Sequence, residues 1–151
     1  MRFWDASALV PLLVRQRASG RMRAFYRSDP LILAWWGSGV ECESAISRLE
    51  REGGIKKRAA SAARGRLDRF AATWHEVQPL ESVREVARRL LRVHALRSAD
   101  ALQLGAALLA AEGRPGSLIF VCLDERLAEA AEREGFPRLG TGRPTPASRR
   151  R

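Results

Sequence analysis

The sequence predicts an α/β domain with a short, mostly parallel central sheet and helices on both of its faces. Short apolar segments typical of buried strands alternate along the chain with helical segments. Residues 118–123 (LIFVCL) are apolar throughout, as in parallel strands that helices cover on both faces. The chain has 151 residues, of which 46% are hydrophobic, enough for a single domain with its own core.

Turn residues and apolar periodicity set the limits of the predicted elements. The first strand is followed at once by a helix that Ser7 can cap. Gly53 and Gly54 are typical of a helix end and are predicted to close the helix before them. Predicted strands cover residues 2–6, 31–35, 75–78, 118–123 and 135–139. Predicted helices follow Ser7 and cover residues 19–27, 40–51, 55–74, 82–93, 98–111 and 125–134.

A change of composition near the C-terminus sets the predicted domain boundary. Residues 1–139 are predicted to form one folded domain. Residues 140–151 are rich in Gly, Pro, Thr, Ser and Arg, and we predict a basic, disordered tail there.

The net charge points to a class of partner. The chain carries a formal charge of +10 and has a pI of about 11.3. Such a charge favours a polyanionic partner, either nucleic acid or an acidic protein. The alternative is an arginine-rich surface that reflects genome composition, since Lys56 and Lys57 are the only lysines.

Cysteine content and hydropathy indicate a cytoplasmic protein without a membrane segment. Cys42 and Cys122 are too few for a disulfide framework or a zinc site, which favours a reducing compartment. Asp5 interrupts the N-terminal apolar segment, which therefore does not match a signal peptide. Residues 101–111 are the most apolar segment and are shorter than the ~18 residues of a membrane span.

Acidic side chains follow the predicted strands at one edge of the sheet. Asp5 and Asp124 stand at the carboxyl ends of two strands, and Glu41 and Asp100 lie in the first turns of two helices. In a parallel sheet these positions share one edge, so the four carboxylates can gather there. Clustered acids repel one another and need a cation, and oxygen ligands without His or Cys select Mg²⁺ or Mn²⁺. Such ions support phosphodiester hydrolysis.

Each acid also has a helix-capping interpretation. Ser38 and Glu41 match the capping box S-x-x-E. Asp100 suits a helix N-terminus, and Asp124 suits the N-cap of the helix that follows it. Asp5 could begin a strand-to-helix turn. Taken singly, capping explains these residues, whereas all four at one edge favour a functional site.

Four segments in order along the chain resemble a known family. FWDASALVPLL, VECESAISRLEREG, LRSADALQLGAAL and FVCLDERLAEAAEREGF are similar to the motifs of PIN-domain ribonucleases, and within them of VapC-type toxins. The similarity covers about residues 2–139. It implies a three-layer α/β/α PIN-like fold and an endoribonuclease that depends on Mg²⁺ or Mn²⁺. It also implies a homodimer and a VapB-like antitoxin that binds and inhibits the enzyme.

The resemblance assigns roles to individual residues. The implied acidic site consists of Asp5, Glu41, Asp100 and Asp124. Ser7 would support Asp5 by hydrogen bonding, and Glu41 rather than Glu43 matches the family motif. Cys122 departs from the pattern, because the family often has Thr at this position, and the hydroxyl that would support Asp124 is missing.

Basic and aromatic residues are candidates for holding the substrate. Lys56, Lys57 and Arg64 lie on a basic helix that could bind phosphates, and a solvated basic face is the equal alternative. Trp36 follows the second strand and could stack on an unpaired base, although such residues more often pack in a core or interface.

An antitoxin helix could lie in a groove of the first two helices. The candidate lining is apolar and aromatic, with core packing as the alternative for most of its members. These residues are Leu9, Leu12, Leu13, Phe25 and Tyr26.

We therefore predict the toxin of a type II toxin–antitoxin pair, an endoribonuclease that cleaves tRNA, rRNA or mRNA. The alternative is a PIN-like domain that binds or processes RNA and is not a toxin. A signalling receiver domain is disfavoured, because it needs an early pair of acids and a late lysine. Flap nucleases share the acidic site but are much longer than this chain.

Overall fold

A parallel sheet forms the middle of the protein. The computed structural model describes residues 1–141. The strands are β1 (Arg2–Trp4), β2 (Ile32–Trp35), β3 (His75–Val77), β4 (Phe120–Val121) and β5 (Arg138–Leu139). They form a 5-stranded sheet in the order β3-β2-β1-β4-β5, and every neighbouring pair is parallel.

Helices cover both faces of the sheet and complete the predicted three-layer α/β/α arrangement. They are α1 (Ala6–Leu13), α2 (Ser19–Ser28), α3 (Ser38–Arg51), α4 (Lys57–Ala71), α5 (Glu81–Val93), α6 (Ser98–Ala110) and α7 (Glu125–Arg133). Helices α1 to α4 share one apolar core with the sheet, and α5 to α7 share a second core on the opposite face. The predicted fold class is confirmed.

The alternation of side chains along the strands explains the two cores. Phe3 stacks on Phe120 with ring centroids 5.3 Å apart, in the core beneath α5 to α7. The next residues in the two strands, Trp4 and Val121, belong to the core beneath α1 to α4. Because both faces are buried, the central strands are apolar without interruption.

Some helices and strands begin or end at other residues than the sequence predicts. The strand predicted at residues 118–123 is reduced to Phe120–Val121, although Cys122 N–H still bonds to Leu139 C=O across 2.9 Å. Helix α1 begins at Ala6 with Asp5 as its N-cap, so the prediction that Ser7 caps it is wrong. The Asp5 carboxylate takes this position because it accepts the Ser7 N–H.

The strand order reverses beside β1. From β1 the chain proceeds through β2 to β3 on one side and later returns to β4 and β5 on the other. In such sheets the loops after the two diverging strands separate and leave a crevice at their carboxyl ends. Asp5 follows β1 directly, and Asp124 lies in the loop between β4 and α7. The topology thus defines the edge at which a site forms.

Two sequence expectations concern regions outside these elements. Among the described residues, no helix has both the length and the apolarity needed to cross a membrane. The predicted tail falls mainly on residues 142–151, which lie outside the described residues.

Candidate active site

Asp5 is a buried carboxylate at the carboxyl end of β1. Its residue is only 4% exposed, and its main chain continues the ladder, since Asp5 N–H donates to Val121 C=O across 3.0 Å. Ser7 N–H donates to Asp5 Oδ2 across 2.9 Å, and the Ser7 hydroxyl bonds to the same oxygen. Ser7 therefore supports Asp5, as the family resemblance implies.

Cys122 adds a thiol to this arrangement. Its sulfur lies 3.6 Å from Asp5 Oδ2 and 3.3 Å from the Asp124 carbonyl oxygen. Burial, followed by the charge of Asp5, raises the pKa of the Cys122 thiol, so the group remains a neutral S–H donor. The side chain at this position thus contacts both the Asp5 carboxylate and the main chain of Asp124, with which the sequence had connected it.

Asp5 presents one oxygen to its protein donors. Both hydrogen bonds from Ser7 and the contact from Cys122 reach Oδ2. Within residues 1–141, Oδ1 accepts no hydrogen bond from a protein donor. The arrangement fixes the carboxylate by one oxygen and leaves the other for a ligand.

Glu41 lies in the first turn of α3 and faces α6. Gln103 Nε2 donates to Glu41 Oε1 across 3.2 Å, and Ser38 Oγ donates to Gln103 Oε1 across 3.4 Å. Gly37 occupies the N-cap position of α3, and the predicted capping box of Ser38 and Glu41 does not form. The capping box does not form because the buried Gln103 amide, on the neighbouring helix α6, is hydrogen-bonded to both side chains.

Asp100 and Asp124 are attached to helix starts at the same edge. Asp100 lies in the first turn of α6, and its Oδ2 accepts the Arg97 N–H across 3.3 Å. Asp124 is the N-cap of α7, and its Oδ1 accepts the Leu127 N–H across 3.0 Å. Asp124 therefore acts as a helix cap, as the capping interpretation predicts. Its second carboxylate oxygen, Oδ2, accepts no hydrogen bond from the described residues.

Burial makes the ionised forms of Asp5 and Glu41 unfavourable, and neighbouring negative charges add to this effect. Desolvation raises the pKa of Asp5, opposed by the Ser7 hydrogen bonds and reinforced by the charge of Asp100. Desolvation also raises the pKa of Glu41 to about 7; the Gln103 hydrogen bond opposes this, and Asp5 and Asp100 add to it. Asp5, Glu41 and Asp100 therefore lie close enough to influence one another.

The donor set fits a hard divalent cation. None of the ion pairs among residues 1–141 involves Asp5, Glu41, Asp100 or Asp124, so no Lys or Arg neutralises them there. In the same residues, no three acidic, Cys or His side chains are already arranged to hold one ion. The carboxylates are each held by a separate hydrogen-bond partner and offer oxygen atoms of the kind that Mg²⁺ and Mn²⁺ prefer.

A cleft between α1 and α3 leads away from the acids. It encloses about 390 Å³, and Ser7 and Glu41 line it together with Gln16, Ser44 and Arg48. Arg48 follows Glu41 by two helical turns, about 10.5 Å along the axis. Its exposed guanidinium makes no ion pair within the described part of the chain. The cleft thus joins acidic and basic groups.

Two polar residues of this region were not among the sequence candidates. Gln103 follows Asp100 by three residues and is the one amide within the apolar helix α6. Arg48 shares a helix face with Glu41 and Ser44 at the spacing i, i+3, i+7. Both spacings were visible in the sequence and could have indicated these residues.

The candidate RNA-binding residues lie in different environments. Lys56 and Lys57 are exposed and follow the end of α3 that is remote from Glu41. Arg64 donates to Glu43 across 2.7 Å and to Glu50 across 2.9 Å, so its charge is already paired. Trp36 is 53% exposed and contacts the buried Trp35 edge-on.

Solved structures identify the class of the fold. It is shared with Mycobacterium tuberculosis VapC20, a sarcin-ricin loop cleaving toxin, at a TM-score of 0.63 and 19% identity over 93% of this chain and 98% of that one. FitAcB from Neisseria gonorrhoeae matches at a TM-score of 0.61 and 15% identity over 91% and 96% of the two chains. A toxin-antitoxin complex from Klebsiella pneumoniae matches at 0.60 and 14% identity over 85% and 91%. The fold is therefore the PIN-like fold of VapC toxins.

Curated sequence relatives identify the family. Ribonuclease VapC45 of Mycobacterium tuberculosis strain CDC 1551 is 31% identical over 133 residues, 88% of this chain and 90% of that protein. Ribonuclease VapC49 of strain H37Rv matches with the same identity and coverage. No family model matches the chain. The chain belongs to the VapC ribonuclease family, which confirms the resemblance on which the sequence interpretation rested.

Proposed function

We propose that this protein is the toxin of a type II toxin–antitoxin pair and an endoribonuclease that hydrolyses RNA phosphodiester bonds with a divalent metal. Membership of the VapC ribonuclease family supports the activity. The observation that carries the site is the buried Asp5 carboxylate, held through one oxygen by Ser7 beside Glu41 and Asp100. Such a group is costly without a cation, which argues for a functional role.

The proposed metal ligands are Asp5, Glu41, Asp100 and Asp124, and the proposed ion is Mg²⁺ or Mn²⁺. When bound, such an ion would polarise the scissile phosphate and assist the attack of water. Ser7 would orient Asp5 for this task through its two hydrogen bonds. Gln103 holds Glu41 from the neighbouring helix. No separate general base is needed in this scheme.

The RNA strand is proposed to enter the α1–α3 cleft. Glu41 and Ser7 line the cleft at the acidic site, and Arg48 borders it two helical turns further on. A phosphate would be attracted to Arg48 while the neighbouring part of the strand reaches the acids. The exposed Lys56 and Lys57 would add a less specific attraction, and Trp36 a surface for stacking.

A substitution series tests the proposed ligands. We expect Asp5→Asn, Glu41→Gln, Asp100→Asn and Asp124→Asn each to lower RNA cleavage by at least about a hundredfold. The matched control is Glu43→Gln, because Glu43 lies on the same helix as Glu41 and pairs with Arg64 instead. Circular dichroism establishes that each variant is folded. Wild-type activity in a folded Asp5→Asn protein contradicts the proposal.

An antitoxin is the proposed protein partner. Two adjoining cavities of about 270 and 220 Å³ lie between α2 and α4 and share Tyr26 and Phe70, which we call the α2–α4 groove. Its rim carries Arg23, Arg27, Arg66 and Arg69. A helix with apolar and acidic faces would match this lining. Leu9, Leu12 and Leu13 of the predicted groove are all buried in the core, and Leu12 also lines the α2–α4 groove.

Charge reversal tests this surface. The double variant Arg23→Glu and Arg27→Glu should cleave RNA at the wild-type rate and escape inhibition by a candidate antitoxin encoded beside it. Equal inhibition of both proteins would exclude the α2–α4 groove as the antitoxin site. The homodimer implied by the resemblance is tested separately by light scattering of the purified protein.

The proposed compartment is the cytoplasm. Cys42 and Cys122 are both free and buried, which suits a reducing environment. RNA and an antitoxin that inhibits the toxin would both be available there.

A further inference from the structure

A buried amide links two helices next to the acidic site. Gln103 of α6 is 0% exposed, and its neighbours along the helix are apolar. Its Nε2 donates to Glu41 Oε1 across 3.2 Å, while its Oε1 accepts the Ser38 hydroxyl across 3.4 Å. The two partners lie on α3, so one side chain joins the two helices through both ends of its amide group.

Core stability does not explain an amide at this position. A buried amide must be hydrogen-bonded to offset its loss of water, and an apolar side chain of the same size needs no such partner. Gln103 lies between the two apolar residues Leu102 and Leu104, in a helix that packs against both β2 and α5. Its polar group therefore serves the contact with Glu41 and Ser38.

The orientation of the amide follows from its two partners. When Glu41 is ionised its carboxylate only accepts hydrogen bonds, so the NH₂ end of the amide faces Glu41. The carbonyl end then faces Ser38, whose hydroxyl can donate to it. Ser38 and Glu41 lie three residues apart on one face of α3. Ser38 thus donates to Gln103, and Gln103 donates to Glu41, so this chain of hydrogen bonds ends on a proposed metal ligand.

We propose that Gln103 is a positioning residue for the divalent-metal site. Its amide holds the Glu41 carboxylate beside Asp5 and Asp100, and the Ser38 hydroxyl anchors the other end of the amide. The inference rests on the proposed function, because Glu41 acts there as a metal ligand. Partners that orient metal ligands commonly contribute about 10- to 100-fold to metal affinity or activity.

The test measures Mn²⁺ affinity rather than activity alone. Gln103→Met keeps the length and the buried packing of the side chain and removes the amide. We expect calorimetry to give an Mn²⁺ dissociation constant about tenfold above that of the wild type. The metal-free protein should unfold in urea at close to the wild-type midpoint, which separates positioning from a general loss of structure.

A matched control and a second variant complete the experiment. Gln78→Met makes the same chemical change at an exposed residue and should leave Mn²⁺ affinity unchanged. Ser38→Ala keeps Gln103 and removes its partner, and should weaken Mn²⁺ binding by roughly threefold. If Gln103→Met does not fold, Ser38→Ala decides: a loss of more than twofold supports the proposal, and a smaller change overturns it.

The outcomes distinguish this inference from the proposed function. A folded Gln103→Met protein that binds Mn²⁺ within twofold of the wild type overturns the role of Gln103 and leaves the metal site intact. A wild-type protein that binds no Mn²⁺ at millimolar concentration overturns both.

Discussion

The thiol of Cys122 lies 3.6 Å from Oδ2 of Asp5, at the oxygen that also accepts both hydrogen bonds of Ser7. A sulfhydryl is a weak donor, yet it is buried and neutral here. The residue that follows β4 therefore steadies the carboxylate that follows β1. The contact joins the two strands at which the sheet order reverses.

The rate of RNA cleavage should follow the hydrogen-bond donor strength of the side chain at position 122. We expect Cys122→Ser to retain or exceed wild-type activity, because a hydroxyl donates more strongly than a thiol. Cys122→Ala removes the donor and should lower the cleavage rate by roughly fivefold, the effect of one hydrogen bond. Initial rates on one RNA under saturating Mn²⁺ provide the comparison. Equal rates for the Ala and Ser variants would show that the contact has no role.

Asp5→Asn should stabilise the metal-free protein while removing activity. Burial and the charge of Asp100 raise the pKa of Asp5, so its ionised form destabilises the folded state above its unfolded value of 3.8. An amide oxygen can still accept both Ser7 hydrogen bonds. We expect the free energy of unfolding at pH 7 in EDTA to rise above that of the wild type. A loss of stability in urea unfolding would mean that the buried charge is already compensated.

Protonation of Glu134 should reduce stability in acid. Arg89 and His94 lie 2.7 Å from its two oxygens, and the Arg89 hydrogen bond in particular lowers the pKa of Glu134 below 4.5. A lowered carboxyl pKa stabilises the fold above pH 4.5, and this contribution is lost as the pH falls through the folded value. Urea unfolding between pH 3 and 7 should show that the free energy of unfolding falls more steeply with acidification in the wild type than in Glu134→Gln. The same dependence of stability on pH in both proteins would contradict a stabilising role of the ionised Glu134.

Arg48 and Arg64 should differ in their effect on RNA binding. Arg48 borders the α1–α3 cleft, whereas Arg64 is paired with Glu43 and Glu50. In an inactive Asp5→Asn background, Arg48→Ala should lower the slope of log affinity against log salt by about one. Arg64→Ala should leave that slope unchanged and lower the stability of the protein only slightly, because exposed ion pairs contribute little. Fluorescence anisotropy with a short RNA measures the slopes, and equal slopes for both variants would contradict the proposed RNA path.

The sequence predicted the elements of the fold better than the contacts between them. Asp5 and Asp124 could be placed because each follows an apolar strand, and parallel strands end at one edge. The Glu41–Gln103 contact joins residues 62 positions apart, so it depends on how α3 and α6 pack against the sheet. No local pattern in either helix specifies that packing.

Some residues have two satisfactory local roles, and the sequence does not choose between them. Ser38 and Glu41 match a capping box in sequence, but a buried amide from α6 engages both of them. The charge of Arg64 predicts a phosphate contact, and in the structure Glu43 and Glu50 on α3 bind its guanidinium. Charge and spacing narrow the choices for such residues, and tertiary packing then selects among them.

The most direct test of the central claim is RNA cleavage with and without metal. Wild-type protein and Asp5→Asn are incubated with a pool of tRNA and ribosomal RNA in Mg²⁺, in Mn²⁺ and in EDTA. We expect cleavage by the wild type alone, its loss in EDTA, and its recovery when Mn²⁺ is added in excess. Cleavage by the wild type that persists in EDTA, or equal cleavage by Asp5→Asn, would contradict a metal-dependent carboxylate site.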